Sequence, residues 1–238
     1  MITNEIRDRE LIEQYGMSPE RYARFTNLWH YYVAKGRSQG LMHDIEPRRC
    51  ALVIVDVQEE CVEPDRFIGF VGKHDDELAA RYKKRLDEVV WPQLEKLIEF
   101  FRSKNMLVIY TVFALPNQEG VHPRLVPVGD DEWVIYKPTT GVFQTTSLDS
   151  MLRDKQIDTL FFTGVITSHC VSNSAHGAIN LGYQVVVIED ACADCWPEHH
   201  DAILKVLALT ANVKTTAAVI SDYPWKKWVF EGPRSSPA

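Results

Sequence analysis

The chain has 238 residues, of which 45% are apolar and 25% are charged, so it is long enough to bury one sizeable core with at most an additional arm. Its formal net charge of −7 contains no long block of one sign, which argues against nucleic acid or an anionic membrane as a partner and favours a small-molecule substrate. No apolar run approaches the roughly 18 residues of a membrane span, the amino terminus is too charged for a secretory signal, and the 5 irregularly spaced cysteines suggest free thiols, so we expect a cytoplasmic protein.

Residues 1–48 are predicted to form a helical extension. Ser18 followed by Pro19 indicates a helix start, because proline is well tolerated at the first helical position. The residues that follow place an apolar, largely aromatic stripe on one face: Tyr22, Phe25, Leu28, Trp29, Tyr32 and Val33. The stripe packs either on its own domain or on a neighbouring subunit. The second alternative leads us to expect a homo-oligomer, a dimer or a tetramer.

Residues 49–222 alternate short β-branched runs with longer amphipathic stretches, the pattern of parallel strands joined by helices. The predicted strands are Ala51–Val55, Leu107–Val112, Trp133–Tyr136, Thr159–Val165, Gln184–Ile188 and Val213–Ile220. The predicted helices lie within Ala80–Lys104, with a kink or break at Pro92, and at Ser147–Leu152, Val171–Leu181 and His199–Leu209. These elements predict a doubly wound α/β sheet, whose ligands bind beyond the carboxyl ends of its strands. Residues 223–238 are predicted to form a tail that acts as a second arm.

Three strands of this predicted sheet are followed by chemically active side chains. Asp56 closes the first run, Lys137 closes the third, and Cys170 comes shortly after the fourth. A buried carboxylate is costly unless it is paired, so we expect Asp56 and Lys137 to pair at one edge of the sheet. With Cys170 they would supply a thiol nucleophile, a carboxylate that takes or returns its proton, and an ammonium that holds the carboxylate.

Cys170 falls at the predicted start of a helix. The unpaired amide groups and the positive end of the helix dipole there favour a thiolate, and the same amides can hold an oxyanion. The alternative is that Cys170 is simply a small buried apolar residue, which is a common role for a cysteine.

Several segments together carry a resemblance to a known family: Val53-Ile-Val-Asp56-Val-Gln58, Lys137-Pro-Thr-Thr-Gly-Val-Phe143, Gly164-Val-Ile-Thr-Ser-His-Cys170-Val171, Gly182-Tyr183 and Asp190-Ala-Cys-Ala-Asp194. From about residue 48 to 222 the chain resembles the cysteine hydrolases of the isochorismatase-like superfamily. The resemblance implies a Rossmann-like three-layer α/β/α sandwich with a mostly parallel six-stranded sheet, and a catalytic triad of Asp56, Lys137 and Cys170. It also implies a cis peptide between Val165 and Ile166, with the Ile166 and Cys170 amides forming the oxyanion hole.

The resemblance also bears on substrate and metal. Where many members carry an acidic residue after the threonine of the cysteine motif, this chain has Ser168, so a charge beside the substrate is absent. The candidate substrate-binding residues are Phe143, Thr167, His169 and Arg124. Nicotinamidase-like members bind a metal through paired histidines, but the corresponding loop here offers only His122, so we expect no catalytic metal and no cofactor.

The presence of Cys170 favours a hydrolase of the amidohydrolase branch, which resembles N-carbamoylsarcosine amidase. It would cleave the C–N bond of a small amide, carbamoyl or ureido compound through a thioester. One alternative is the isochorismatase-type hydrolysis of a vinyl ether, in which Asp56 would transfer the proton, although family members that catalyse it generally lack the cysteine. Another is a non-catalytic or redox protein whose working thiols are Cys192 and Cys195, which have a redox-motif spacing and are followed closely by His199 and His200.

Overall fold

The computed structural model describes residues 45–63, 76–114, 120–129, 132–226 and 228. The predicted helical extension at residues 1–48, with its aromatic stripe, lies almost entirely outside these residues and stays a prediction. Only its last residues are described, and there Ile45 is buried in the core and Pro47–Arg49 form a 3-10 turn that leads into the first strand.

A parallel sheet of six strands forms the centre of the fold, in the order β3-β2-β1-β4-β5-β6. The strands are β1 Cys50–Val55, β2 Leu107–Phe113, β3 Glu132–Lys137, β4 Thr159–Val165, β5 Gln184–Ala193 and β6 Asn212–Lys214. This is the strand order of a dinucleotide-binding Rossmann sheet, in which the direction of winding reverses between β1 and β4. Side chains that follow these two strands therefore meet at the crevice where such folds place their ligands.

Helices cover both faces of the sheet. They are α1 Glu59–Val62, α2 Asp76–Arg85, α3 Trp91–Ser103, α4 Leu148–Asp154, α5 Ser172–Asn180, α6 Pro197–Leu207 and α7 Thr216–Ser221. Successive strand residues point to opposite faces, so Leu52 and Ile54 pack in one core with α2 and α3, whereas Val53 and Val55 pack in the other with α4 and α5. The predicted three-layer α/β/α sandwich is confirmed.

The predicted break at Pro92 does not occur. A π-helical turn, Leu86–Val90, joins α2 directly to α3, and Pro92 lies in the first turn of α3. A proline in a helix interior removes a backbone hydrogen bond and crowds the carbonyl one turn earlier. The wider π-helical turn directly before Pro92 changes the bonding pattern at that point, so the proline is accommodated without ending the helix.

The predicted strand Val213–Ile220 is wrong beyond its first residues. β6 ends at Lys214, and the Thr215 hydroxyl accepts a hydrogen bond from the backbone N–H of Ala218, 3.2 Å away, so α7 begins at the next residue. A threonine cap of this kind satisfies one of the unpaired amides at a helix start. It outweighs the β preference of the threonine, valine and isoleucine in this run.

The described part of the carboxyl-terminal tail belongs to the core of the domain. Trp225 is 1% exposed, and its ring lies 4.8 Å from that of Phe161 in β4. Its indole N–H donates to the carbonyl of Val219 at 2.7 Å, and the Trp228 indole donates to Asp222 at 2.9 Å. The predicted boundary at residue 222 therefore does not mark the end of the core, since Trp225 and Trp228 are part of it.

Candidate active site

Asp56 is the first residue after β1 and is almost completely buried, at 1% exposure. Its backbone adopts a left-handed conformation with φ of 51°, which aspartate tolerates better than most residues. The Thr111 hydroxyl donates to Oδ1 at 2.6 Å and accepts from the Asp56 backbone N–H at 3.2 Å. Lys137 Nζ donates to the other oxygen, Oδ2, at 2.6 Å. Both carboxylate oxygens are thus held in place.

Lys137 ends the edge strand β3 and is fully buried. Besides Asp56, its ammonium donates to the carbonyls of Thr139 at 3.1 Å and Thr140 at 3.2 Å, so three acceptors surround its three N–H bonds. Nζ also lies 4.9 Å from the centre of the Phe113 ring at the end of β2. The predicted pairing of Asp56 and Lys137 is confirmed as a buried ion pair.

Cys170 lies in the nucleophile turn, the π-helical turn Thr167–Val171 that connects β4 to α5. Its thiol is partly exposed, and Asp56 and Lys137 are both close enough to affect its ionisation. Burial and, second to it, the Asp56 carboxylate raise the pKa of Cys170 to about 12, and Lys137 offsets only part of this rise. The prediction that the helix start favours a thiolate is therefore wrong for the free protein. The thiol keeps its proton next to a carboxylate that can accept it.

A glycine brings β1 and β4 together directly below the nucleophile turn. Gly164 has φ of 103°, and a Cβ atom at this position would lie 2.2 Å from the carbonyl oxygen of Val55. Only glycine fits this backbone conformation and this close approach. The next peptide, Val165–Ile166, is cis, as the resemblance implied.

Phe143 and His169 lie near this turn in the structure but differ in exposure. Phe143 is half-buried, stacks on Tyr183 with ring centres 5.8 Å apart, and faces Gly177 of α5. His169 directly precedes Cys170 and is exposed, with Nδ1 3.0 Å from the Ser168 hydroxyl. Their proposed contacts with a substrate stay predictions.

Thr167 and Arg124 have protein partners of their own. Thr167 is fully buried, and its hydroxyl lies 2.9 Å from Nδ1 of His200. Arg124 is exposed; its guanidinium pairs with Glu95 at 2.6 Å and lies over the Trp91 ring. The structure thus brings together the predicted triad, whereas Arg124 contacts the surface of α3.

Four further residues shape the site without having been predicted. Thr111 holds Asp56, and Asp194 accepts the backbone N–H of Ser168 at 2.8 Å. His200 contacts Thr167, and Arg85 lies 2.8 Å from the other nitrogen of His200. Thr111 was detectable, since it interrupts an apolar run in the strand next to β1. The other three contacts join residues far apart in the sequence and leave no local signal.

The remaining cysteines and histidines show no second reactive centre among the described residues. Cys192 and Cys195 are reduced and at most 1% exposed, and burial raises the pKa of each to about 12, which disfavours them as redox thiols.

His122, the histidine considered as a metal ligand, has a protein partner: its Nδ1 accepts a hydrogen bond from the backbone N–H of Arg124. Nowhere in the described ranges do three histidine, cysteine or acidic side chains gather as metal ligands would. No helix in the same ranges is long and apolar enough to cross a membrane.

Comparison with known proteins agrees with this architecture. The chain is 26% identical to the isochorismatase family protein YecD of Escherichia coli O157:H7 over 190 residues, covering 76% of this chain and 99% of YecD. Over 90 residues it is 38% identical to the ureidoacrylate amidohydrolase RutB of Acinetobacter baylyi, covering 37% of this chain and 34% of RutB. The crystal structure of a cysteine hydrolase from Pseudomonas syringae pv. phaseolicola shares the fold, with a TM-score of 0.62 and 23% identity over 79% of this chain and 97% of that one. Residues 50–219 match the isochorismatase domain, so the chain belongs to the isochorismatase-like family of hydrolases.

Proposed function

We propose that this protein is a cysteine amidohydrolase that cleaves the C–N bond of a small amide, carbamoyl or ureido compound through a thioester. The observation that carries the proposal is the partly exposed thiol of Cys170 beside the buried pair of Asp56 and Lys137. Within this pair only the Asp56 carboxylate can accept the thiol proton, because an ammonium group has no lone pair. Lys137 stabilises the negative charge of Asp56 before the proton arrives and compensates for its burial.

In the first half of the reaction Sγ of Cys170 attacks the substrate carbonyl carbon while the thiol proton passes to Asp56. Because burial and the Asp56 carboxylate raise the pKa of the thiol, the thiol holds its proton in the resting protein, and we infer that proton transfer to Asp56 accompanies the attack. The carbonyl electrons move onto oxygen, where the backbone amides of Ile166 and Cys170 are the candidate donors. When the oxyanion collapses, the C–N bond breaks, Asp56 returns the proton to nitrogen, and ammonia or an amine leaves.

In the second half water clears the thioester. Asp56 takes a proton from water, the oxygen attacks the thioester carbon, and the C–S bond breaks. The sulfur recovers its proton from Asp56, and a carboxylic or carbamic acid is released. The same carboxylate accepts and returns one proton in each half, so the protein leaves the cycle unchanged.

The choice of an amide or ureido carbonyl rests on two supports. A nucleophilic thiol serves acyl transfer, for which a thioester is a competent intermediate. RutB, which shares 38% identity over 90 residues, is a ureidoacrylate amidohydrolase. Hydrolysis of a vinyl ether is the second candidate, because Asp56 alone could protonate such a substrate. The two differ in whether Cys170 is required.

The test is to incubate the full chain with a panel of primary amides, carbamoyl compounds and ureido acids, measuring ammonia release and the intact mass after rapid acid quenching. We expect at least one compound to release ammonia and to leave an acyl adduct on Cys170. Cys170→Ala should lose both signals, whereas Cys50→Ser, a matched change at a buried thiol that donates to the Glu46 carbonyl, should retain both. Ammonia release that persists in Cys170→Ala would refute the mechanism. Cleavage of an enol ether that survives Cys170→Ala would establish the second candidate.

A further inference from the structure

Two polar contacts hold the nucleophile turn, one from the end of β5 and its connection to α6, and one from α6 itself. The backbone N–H of Ser168 donates to Oδ2 of Asp194 at 2.8 Å, and the other oxygen of Asp194 accepts the backbone N–H of Trp196 at 3.2 Å. The hydroxyl of Thr167 lies 2.9 Å from Nδ1 of His200 in α6. The first two residues of the turn that carries Cys170 are therefore fixed by side chains from outside the turn.

His200 is in turn fixed by an arginine. A guanidinium nitrogen of Arg85 lies 2.8 Å from Nε2 of His200, while the same guanidinium donates to the carbonyls of Cys192 at 3.1 Å and Glu189 at 3.0 Å. A guanidinium has donors only, so Nε2 of His200 must be the acceptor in this contact. The ring proton of the neutral imidazole then lies on Nδ1, from which it is donated to Thr167.

The surroundings of His200 agree with this neutral form. The residue is 6% exposed, and burial together with the adjacent Arg85 lowers its pKa to about 4. A protonated ring would place a second cation against the guanidinium, with Asp194 and Asp201 as the nearby carboxylates. At neutral pH the donor in each contact is therefore defined: Arg85 donates to Nε2 of His200, and Nδ1 of His200 donates to the Thr167 hydroxyl.

We propose that His200 is a positioning residue: as a neutral Nδ1–H tautomer set by Arg85, it orients the nucleophile turn through the Thr167 hydroxyl. Thr167 is fully buried, so its hydroxyl cannot exchange this partner for bulk water. It lies three positions before Cys170 in the same turn, so rotation of Thr167 would move the turn that aims the thiol at Asp56. This assignment rests on the proposed role of Cys170 as nucleophile, but its contacts can be tested without a substrate.

The kinetic test compares paired variants at both ends of the contact. Thr167→Val and His200→Leu remove it, whereas Thr167→Ser keeps the hydroxyl and His200→Asn keeps a donor close to the position of Nδ1. The readouts are the rate of Cys170 alkylation by iodoacetamide and, on the amide found to be hydrolysed, kcat/KM. We expect Thr167→Val and His200→Leu to lower both by roughly tenfold to a hundredfold, the scale of a misaligned reacting group. Each conservative variant should restore most of the loss.

The double variant Thr167→Val/His200→Leu separates positioning from general damage. If both residues act through one contact, the double variant should be no slower than the worse single variant. Multiplied effects, or an alkylation rate unchanged in His200→Leu, would overturn the proposal. The unfolding midpoint of each variant, measured alongside, shows whether the rate losses follow stability; rates that track the midpoint across all variants would also overturn it.

Nitrogen-15 NMR of histidine-labelled protein, with His200→Asn to assign the signal, tests the tautomer independently of any activity. We expect a protonated Nδ1 and an unprotonated Nε2 at pH 7; the opposite tautomer would refute the assignment. If no amide is hydrolysed but the tautomer and the alkylation rates behave as expected, the proposed function fails while the positioning role of His200 stands.

Discussion

Replacing Lys137 by methionine gives the most direct test of the buried ion pair. The substitution keeps a long apolar stem but removes the ammonium that donates to Asp56 at 2.6 Å and to the carbonyls of Thr139 and Thr140. Asp56 would keep only the Thr111 hydroxyl on its other oxygen, as a carboxylate at 1% exposure. Breaking a buried pair by removing one partner costs about 3–5 kcal/mol, because the remaining charge stays buried without compensation.

Urea unfolding at about pH 8 measures this cost. If the free energy of unfolding falls by about 2–3 kcal/mol per molar urea, the unfolding midpoint of Lys137→Met should lie roughly 1–2 M below that of wild type. The double variant Asp56→Asn/Lys137→Met removes both charges and should recover at least half of the loss, since a neutral, well-packed replacement of a buried pair is often tolerated.

Two results would refute this reasoning. A Lys137→Met midpoint within about 0.3 M of wild type would mean that Asp56 is not held as a buried charge by Lys137. If the loss of stability in the double variant equalled the sum of the losses in Asp56→Asn and in Lys137→Met, the two side chains would not be energetically coupled.

Three further predictions concern the frame of the site and its pH dependence. Gly164→Ala should unfold the protein or destabilise it by more than about 3 kcal/mol, whereas Gly129→Ala, which also has a positive φ but nothing within 4 Å of its Cβ, should cost only about 1–2 kcal/mol; similar thermal midpoints for the two would contradict the clash with Val55. The pKa of His200 is lowered to about 4 from an ordinary value near 6.5, so its contribution to stability is complete above about pH 6.5 and is lost as the pH falls towards 4. Wild type should therefore lose roughly 3 kcal/mol more than His200→Asn between pH 7 and 4 in urea titrations, and parallel curves would disprove the shift. Trp225→Ala should cost about 3–5 kcal/mol by urea unfolding, and a loss below about 1 kcal/mol would show that this side chain is not part of the core.

The sequence was sufficient for the sheet and for the pairing of Asp56 with Lys137, because both follow from local patterns. Five of the six β-branched runs became strands, four of them close to the predicted bounds, whereas β5 continues to Ala193 instead of ending at Ile188. Parallel strands bring their carboxyl ends to one edge, which places Asp56 and Lys137 on the same side of the sheet. The run after Asn212 is ambiguous, since its residues favour a strand, whereas in the structure Thr215 caps a helix and Thr216 bonds to the distant Asp190.

Other features depend on contacts that no local pattern encodes. The thiol of Cys170 stays protonated because of burial and the Asp56 carboxylate, both of which arise only in the folded chain. The contact between Thr167 and His200 spans 33 positions, and that between Arg85 and His200 spans 115. The sequence also predicts an arm at Trp225, because its core partner Phe161 lies in a strand far away along the chain.

The saturation of Lys137 by three acceptors limits how protons can move in the proposed cycle. The ammonium donates to oxygens of Asp56, Thr139 and Thr140, so a leaving group would have to displace one of these acceptors before Lys137 could donate to it. Giving up a proton would also leave Asp56 as a buried anion beside a neutral amine. Lys137 thus acts as a fixed counter-charge, and Asp56 alone shuttles the proton between sulfur, nitrogen and water.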